Sequence, residues 1–151
     1  MRDPDQSIGF LVSDVARLLR RNFAFRAKGL GLSQAQWQAL AYLSRQEGVN
    51  QVTLAESLEV QPMTLARLID RLQEAGLVAR QPDPSDRRAF HLYLTAAAGP
   101  MLRRMWKLAA ETREEAMAGL PDERKKILIE ALRHMKQNLA AAETGGDNAD
   151  I

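Results

Sequence analysis

Residues Thr53 to Thr95 read TLAESLEVQPMTLARLIDRLQEAGLVARQPDPSDRRAFHLYLT. Thr53 and Glu56 have the spacing of a capping box and predict a short helix. Pro62 ends it and suits the first position of the next helix, where its missing N–H costs little. In that second helix Leu65, Leu68, Ile69 and Leu72 recur at i, i+3, i+4 and i+7, one stripe for burial. Met63, Arg67, Asp70 and Glu74 fall on the opposite side, and Gly76 stands where glycine stops a helix. Leu77-Val78 and the alternating Phe90, Leu92 and Leu94 predict two strands of a hairpin. Between them Pro82 to Arg88 holds two prolines, two aspartates and two adjacent arginines, a stiff and charged tip. Two helices across a tight turn, followed by a hairpin, make a winged helix-turn-helix.

Outward from this segment the chain reads as helix almost throughout. Ile8, Leu11, Val12, Val15, Leu18 and Leu19 keep the helical period, and Gly29 and Gly31 close that stretch. Ser33 and Gln36 form a capping box that opens a helix carrying Trp37, Leu40, Ala41 and Leu43 on its inner side. Gly48 ends it, and "GVNQ" is a connector or a short strand. Thr95 is placed to cap a long helix with Met101, Leu102, Met105, Leu108 and Ala109 on its apolar side. Pro121, Asp122 and Glu123 open a last helix striped by Leu128, Leu132, Met135 and Leu139. The fold class is therefore mainly α with a small β-hairpin wing and flanking helices.

Composition narrows the function. The 151 residues fit one domain, and 46% apolar residues suffice for a core. No apolar run approaches the ~18 residues of a membrane span. The start "MRDPDQSIGF" lacks the basic region and apolar stretch of a signal peptide, so a cytoplasmic protein is expected. Cysteine is absent, which excludes disulfides, thiolate-bound zinc and thiol redox sensing. Residues 1–28 carry six basic and three acidic groups, residues 29–110 nine and seven, and residues 111–151 six and nine. The basic front is compatible with an anionic partner. His91 and His134 have no ligand spacing for a metal, and no glycine-rich phosphate loop or nucleophile motif is present. No cofactor and no catalysis are expected. His91 alternates with Phe90 and Leu92 and is expected to face solvent or DNA.

The motifs in order and spacing resemble the MarR family of bacterial transcription regulators over residues 8–140. "DPSDRRAFHLYLT" is similar to that family's wing, "LIDRLQEAGLVAR" to the end of its recognition helix, and "LSQAQW" to its SlyA-like branch. The resemblance implies a single MarR-type domain. Residues 33–95 would be the DNA-binding lobe, 7–30 and 96–143 the dimerisation helices, and 144–151 a frayed tail. It implies a repressor that binds double-stranded DNA as a homodimer on a pseudo-palindromic operator.

Helix-turn-helix proteins read base edges with the start of the second helix, which nominates Gln61, Pro62, Met63, Thr64 and Arg67. Arg67 can hydrogen-bond a guanine edge or pair with Asp70. Arg71 suits a backbone contact or a pair with Glu74, and Thr53 can hold a phosphate. By resemblance Arg88 enters the narrow minor groove, Arg87 lies on a phosphate, and Asp86 holds Arg88 in place. The family's dimer seam would fall on Ile8, Leu11, Leu120, Ile127, Leu128, Ala131, Leu132, Met135 and Leu139. The family's aromatic carboxylate effectors would meet Arg17, Arg20, Trp37 and Ala41, although Trp37 reads equally as a core residue. The rival to a DNA reader is a winged helix that binds protein, for which an acidic recognition helix would be the sign.

Overall fold

The computed structural model describes residues 6–146. Six helices are α1 (Ile8–Arg26), α2 (Gln34–Arg45), α3 (Gln51–Ser57), α4 (Pro62–Glu74), α5 (Ala98–Ala116) and α6 (Asp122–Gly146). Three strands are β1 (Val49–Asn50), β2 (Val78–Pro82) and β3 (Phe90–Leu94), and a 3₁₀ turn spans Ala27–Leu30. Two compact units divide the chain, Met1–Thr112 and Arg113–Ile151, with the break inside α5. Among the described residues no helix is long and apolar enough to cross a membrane.

The first unit is organised around α4. Its stripe buries Leu65, Ile69 and Leu72 completely, against Leu40 and Leu43 of α2, Leu54 of α3, and Val78 and Leu92 of the sheet. Each such side chain removed from water contributes roughly 1.5–3 kcal/mol. The sheet is antiparallel in the order β1-β3-β2, with Val78 opposite Leu94, Arg80 opposite Leu92 and Val49 opposite Leu92 on the other side. The "GVNQ" segment thus resolves as a third strand, closed by the Gly48 N–H on the Leu92 carbonyl at 2.8 Å.

The Ser33–Gln36 capping box is present, with the Ser33 N–H on Gln36 Oε1 at 2.8 Å and the Gln36 N–H on Ser33 Oγ at 3.2 Å. The second expected box is not. Asn50 caps α3, its Oδ1 accepting the Val52 N–H at 2.8 Å, so Thr53 and Glu56 lie inside a helix that begins two residues earlier. Nor does Thr95 cap α5, which begins at Ala98. The Thr95 hydroxyl donates to the Gly76 carbonyl, and its N–H donates to Leu77. It therefore ties the hairpin's end to its start.

In the second unit α6 extends further than expected. Thr144, Gly145 and Gly146 are helical, and the Thr144 hydroxyl bonds the carbonyls of Ala140 and Ala141. The rest of the expected tail lies outside the described residues. No α6 residue is buried.

Candidate nucleic-acid interface

Pro62 is the first residue of α4 and Gln61 its N-cap, so the helix start presents Gln61, Pro62, Met63 and Thr64 outward. Met63 is 70% exposed. Arg67 and Arg71 are exposed on the same helix, and Thr53 is exposed in the first turn of α3. The anticipated pairs of Arg67 with Asp70 and Arg71 with Glu74 do not form. Asp70 is taken instead by Arg80, Nη1 to Oδ1 at 2.6 Å.

Arg80 was not legible as a site residue, yet all three of its guanidinium nitrogens are hydrogen-bonded. Nη1 also donates to Gln73 Oε1 at 2.9 Å, Nη2 to the Ala66 carbonyl at 3.0 Å, and Nε to Gln51 Oε1 at 3.1 Å. Its side chain is only 17% exposed. A signal did exist. With a strand's period of two, Arg80 shares the face of buried Val78, so a charge there needs a partner.

The loop Asp83–Ala89 joins β2 to β3. Its ends meet through the Asp83 N–H on the Ala89 carbonyl at 3.0 Å. Asp83 Oδ1 accepts the Ser85 hydroxyl at 2.6 Å and the Ser85 N–H at 2.8 Å, while Oδ2 faces His91 Nε2 at 2.7 Å. His91 Nδ1 lies 2.9 Å from the Gly48 carbonyl. A carbonyl and a carboxylate only accept, so satisfying both ring nitrogens requires the doubly protonated imidazolium. The Asp83 hydrogen bond, then the Gly48 carbonyl, raise the His91 pKa above 6.5. Hydrogen bonds from the Ser85 side chain, from His91 and from the Ser85 backbone hold Asp83 far below the ordinary carboxylate range. His91 therefore does not simply face solvent or DNA. It joins the wing to the turn before β1.

At the tip, Asp86 holds Arg88 by its backbone rather than by its guanidinium: Oδ1 accepts the Arg88 N–H at 2.9 Å. Arg87 and Arg88 are exposed and form no ion pair among the described residues. Two negative groups near these surfaces, Asp70 and Asp83, are engaged by Arg80 and His91. What remains outward is an apolar and basic helix start beside a basic tip, on a hairpin fixed at its base, middle and loop.

This geometry, a short helix and turn before an outward-facing helix and a three-stranded wing, is that of a known group of DNA-binding proteins. The MarR family model matches residues 32–90. The solved transcriptional regulator PA3341 is 34% identical, with 89% of this chain and 99% of that one covered and a TM-score of 0.75. The chain belongs to the MarR family. A MarR transcriptional regulator from Methanosarcina mazei Go1 is 28% identical over 89% of this chain and 97% of its own, with a TM-score of 0.80. The transcriptional regulator SlyA is 26% identical over 91% and 96%, with a TM-score of 0.73. At that identity SlyA stands no nearer than the other two, so the match shows the MarR family and not a branch of it. MarR proteins are DNA-binding transcription regulators, not enzymes, and they act as dimers.

The residues nominated for an effector are dispersed in role. Trp37 meets the buried Phe23 ring edge-on, with centroids 4.4 Å apart, and Ala41 packs on the core. Arg17 pairs with Asp14 at 3.4 Å on the exposed side of α1, where Arg20 is also exposed. A cavity of about 270 Å³ lies elsewhere, lined by Arg26, Gly29, Leu30, Arg104, Lys107, Leu108 and Glu111. Across it Arg26 pairs with Glu111 at 3.4 Å, and Arg104 donates to the Gly29 carbonyl at 3.4 Å.

Apolar side chains remain open on α1, including Ile8, Phe10, Leu11, Val12, Val15 and Leu18, all between 43% and 62% exposed. On α6, Ile127, Leu128, Ile129, Leu132 and Leu139 are exposed, as is Ala131, while Met135 and the preceding Leu120 are half-buried. Phe10, Val12, Val15, Leu18 and Ile129 were not among the residues nominated for a seam.

Proposed function

We propose that this MarR protein is a repressor that binds a pseudo-palindromic operator as a homodimer from a cytoplasmic pool. The observation that carries the reading is the pairing pattern of charge. Arg67, Arg71, Arg87 and Arg88 are exposed and form no ion pair among the described residues, while Asp70 and Asp83 are paired with Arg80 and His91. A protein-binding winged helix has no need of that arrangement.

In this reading α4 enters the major groove. Gln61, Met63, Thr64 and Arg67 approach base edges, and Pro62 sets the helix start. Thr53 and Arg71 lie on phosphates. Arg88 enters the minor groove, whose narrow and negative floor attracts arginine, with Arg87 on the flanking phosphates. Asp86 fixes the backbone that carries Arg88. The open faces of α1 and α6, with Ile8, Leu11, Leu120, Ile127, Leu128, Ala131, Leu132, Met135 and Leu139, form the dimer seam. Residues 33–95 act as the reading lobe and the flanking helices as the dimerisation part of one MarR-type domain. The "LSQAQW" segment supports a SlyA-like member. An aromatic carboxylate effector would lie on Arg17 and Arg20 near Ala41. Trp37 is occupied by Phe23, so it would offer only the part of its ring that the core leaves open.

Selection of duplexes from a random pool, followed by footprinting on the DNA upstream of the protein's own gene, tests the reading. The expected product is a two-fold-related motif with half-sites about one DNA turn apart and a steep salt dependence. Failure to enrich any sequence would reject it.

A further inference from the structure

We infer that Arg80 is a positioning residue for sequence-specific DNA recognition: one guanidinium holds the wing to α4, so that both meet DNA as a rigid body. The inference rests on the DNA-binding reading above. The chain passes from α4 into the hairpin through Ala75, Gly76 and Leu77, and Gly76 has a φ of 74°. Strands advance roughly 3.3 Å per residue, so the tip stands well out from that joint and a small tilt at the base is magnified there. Arg80 braces the lever two residues beyond Val78, level with Leu92, the buried core residue of β3 nearest the tip. It reaches three points on α4, at Asp70, Gln73 and the Ala66 carbonyl, and one on α3, at Gln51.

Only a guanidinium can do this. Its donors lie in one plane at fixed angles, whereas an ammonium is a single point of charge that cannot span these acceptors. The brace also has an electrostatic consequence. Asp70 is 56% exposed on the helix that carries Arg67 and Arg71. Unpaired, it would repel the phosphates those arginines approach. Arg80 pairs with it at 2.6 Å and neutralises it. Since Arg80 is itself mostly covered, it contributes orientation and not a phosphate contact.

The test uses the full chain, the duplex enriched from a random pool by the wild-type protein, and a scrambled duplex of equal length. Affinities of wild type, Arg80→Lys and Asp70→Asn are measured by anisotropy over a series of salt concentrations, with melting and circular dichroism in parallel. Arg80→Lys should weaken binding to the enriched duplex about tenfold, the scale of hydrogen bonds to a charged group. Binding to the scrambled duplex should fall less than about twofold, with the salt slope unchanged. Asp70→Asn, which keeps an acceptor but loses the charge, should show the same selectivity with a smaller loss, about threefold. A merely structural role would lower the melting temperature and leave the ratio of the two affinities in place. Equal losses on both duplexes, or a salt slope reduced by about one, would overturn the inference. If the wild-type protein enriches no duplex, the DNA-binding reading falls. If it does and Arg80→Lys is unaffected, only the role of Arg80 falls.

Discussion

At the scale of single residues, the wing is held by side chains other than its two arginines. Asp83 and His91 tie the loop to the turn before β1, and their link depends on proton occupancy. The His91 pKa is raised in the fold, so its contribution is complete below 6.5 and is lost as pH rises through the raised value. The Asp83 pKa is depressed, so its contribution is complete above 3.8 and is lost only as pH falls toward its much lower folded value. Both act together between those two ordinary values, and alkaline pH loosens the wing first. NMR titration of the His91 ring should therefore give a midpoint above 6.5, and a midpoint at or below it would remove the link. Operator affinity should fall across the same rise in pH in wild type but not in His91→Gln. Arg88 stands in the same loop as Asp83, and its guanidinium forms no ion pair among the described residues. Arg88→Ala should weaken operator binding by roughly 1–3 kcal/mol and lower the salt slope by about one. Helix content should stay unchanged, and native affinity in this variant would take Arg88 out of the groove.

At the scale of elements, the same helix stop occurs twice with different residues. After α4, the Leu77 N–H reaches the Leu72 carbonyl at 3.0 Å and the Gly76 N–H reaches Gln73 at 2.9 Å. After α3, the Val60 N–H reaches Ala55 at 3.0 Å and the Glu59 N–H reaches Glu56 at 3.1 Å. Each stop needs one left-handed residue. Gly76 takes φ 74° freely, but Glu59 takes φ 54° with a Cβ that crowds its own carbonyl. Glu59→Gly should relieve that strain and, after the extra chain entropy of glycine, stabilise the fold by about 0.5–1 kcal/mol. Urea unfolding measures it, and a loss of stability would mean that the Glu59 side chain has a compensating contact. This pair also shows what the sequence could convey. Gly76 and Pro62 announce themselves because glycine and proline restrict the backbone by their own chemistry. The α4 stripe is equally legible, since apolar spacing survives any context. The turn at Glu59 carries no such mark. The α3 cap was misplaced because Asn50, three residues upstream, competes with Thr53 for the same role and lies in a strand as well. Arg80, His91 and Asp83 were missed as site residues for a different reason. Arg80 meets Asp70 ten residues away and His91 meets Asp83 and Gly48 eight and 43 residues away, and local pattern says nothing about which charge will meet which.

At the scale of the whole molecule, the DNA-reading surface accounts for one region of the chain and leaves its two ends unexplained. The apolar spacing of α1 and α6 was visible in the sequence. That spacing could not say whether the stripes close within one chain or between two. The exposures favour the second. On α6, Leu128 and Leu132 are 40% and 42% exposed, and no residue of that 25-residue helix is buried. A helix this long does not keep such a stripe open to water in a protein that is finished as one chain. That condition also makes a clean experiment possible. A glutamate at 132 displaces no buried contact of the protomer, and glutamate and leucine differ little in helix propensity. Leu132→Glu should therefore fold with native helix content. In a two-fold seam the same change places two uncompensated carboxylates against apolar surface, at a cost of about 3 kcal/mol or more. Light scattering should show monomers at concentrations where wild type is dimeric. Operator binding should fall to the level of a single half-site, because the second reading head is no longer tethered at the right spacing. A Leu132→Glu protein that remains dimeric would move the seam off α6. One that becomes monomeric yet binds the full operator with native affinity would separate assembly from recognition altogether.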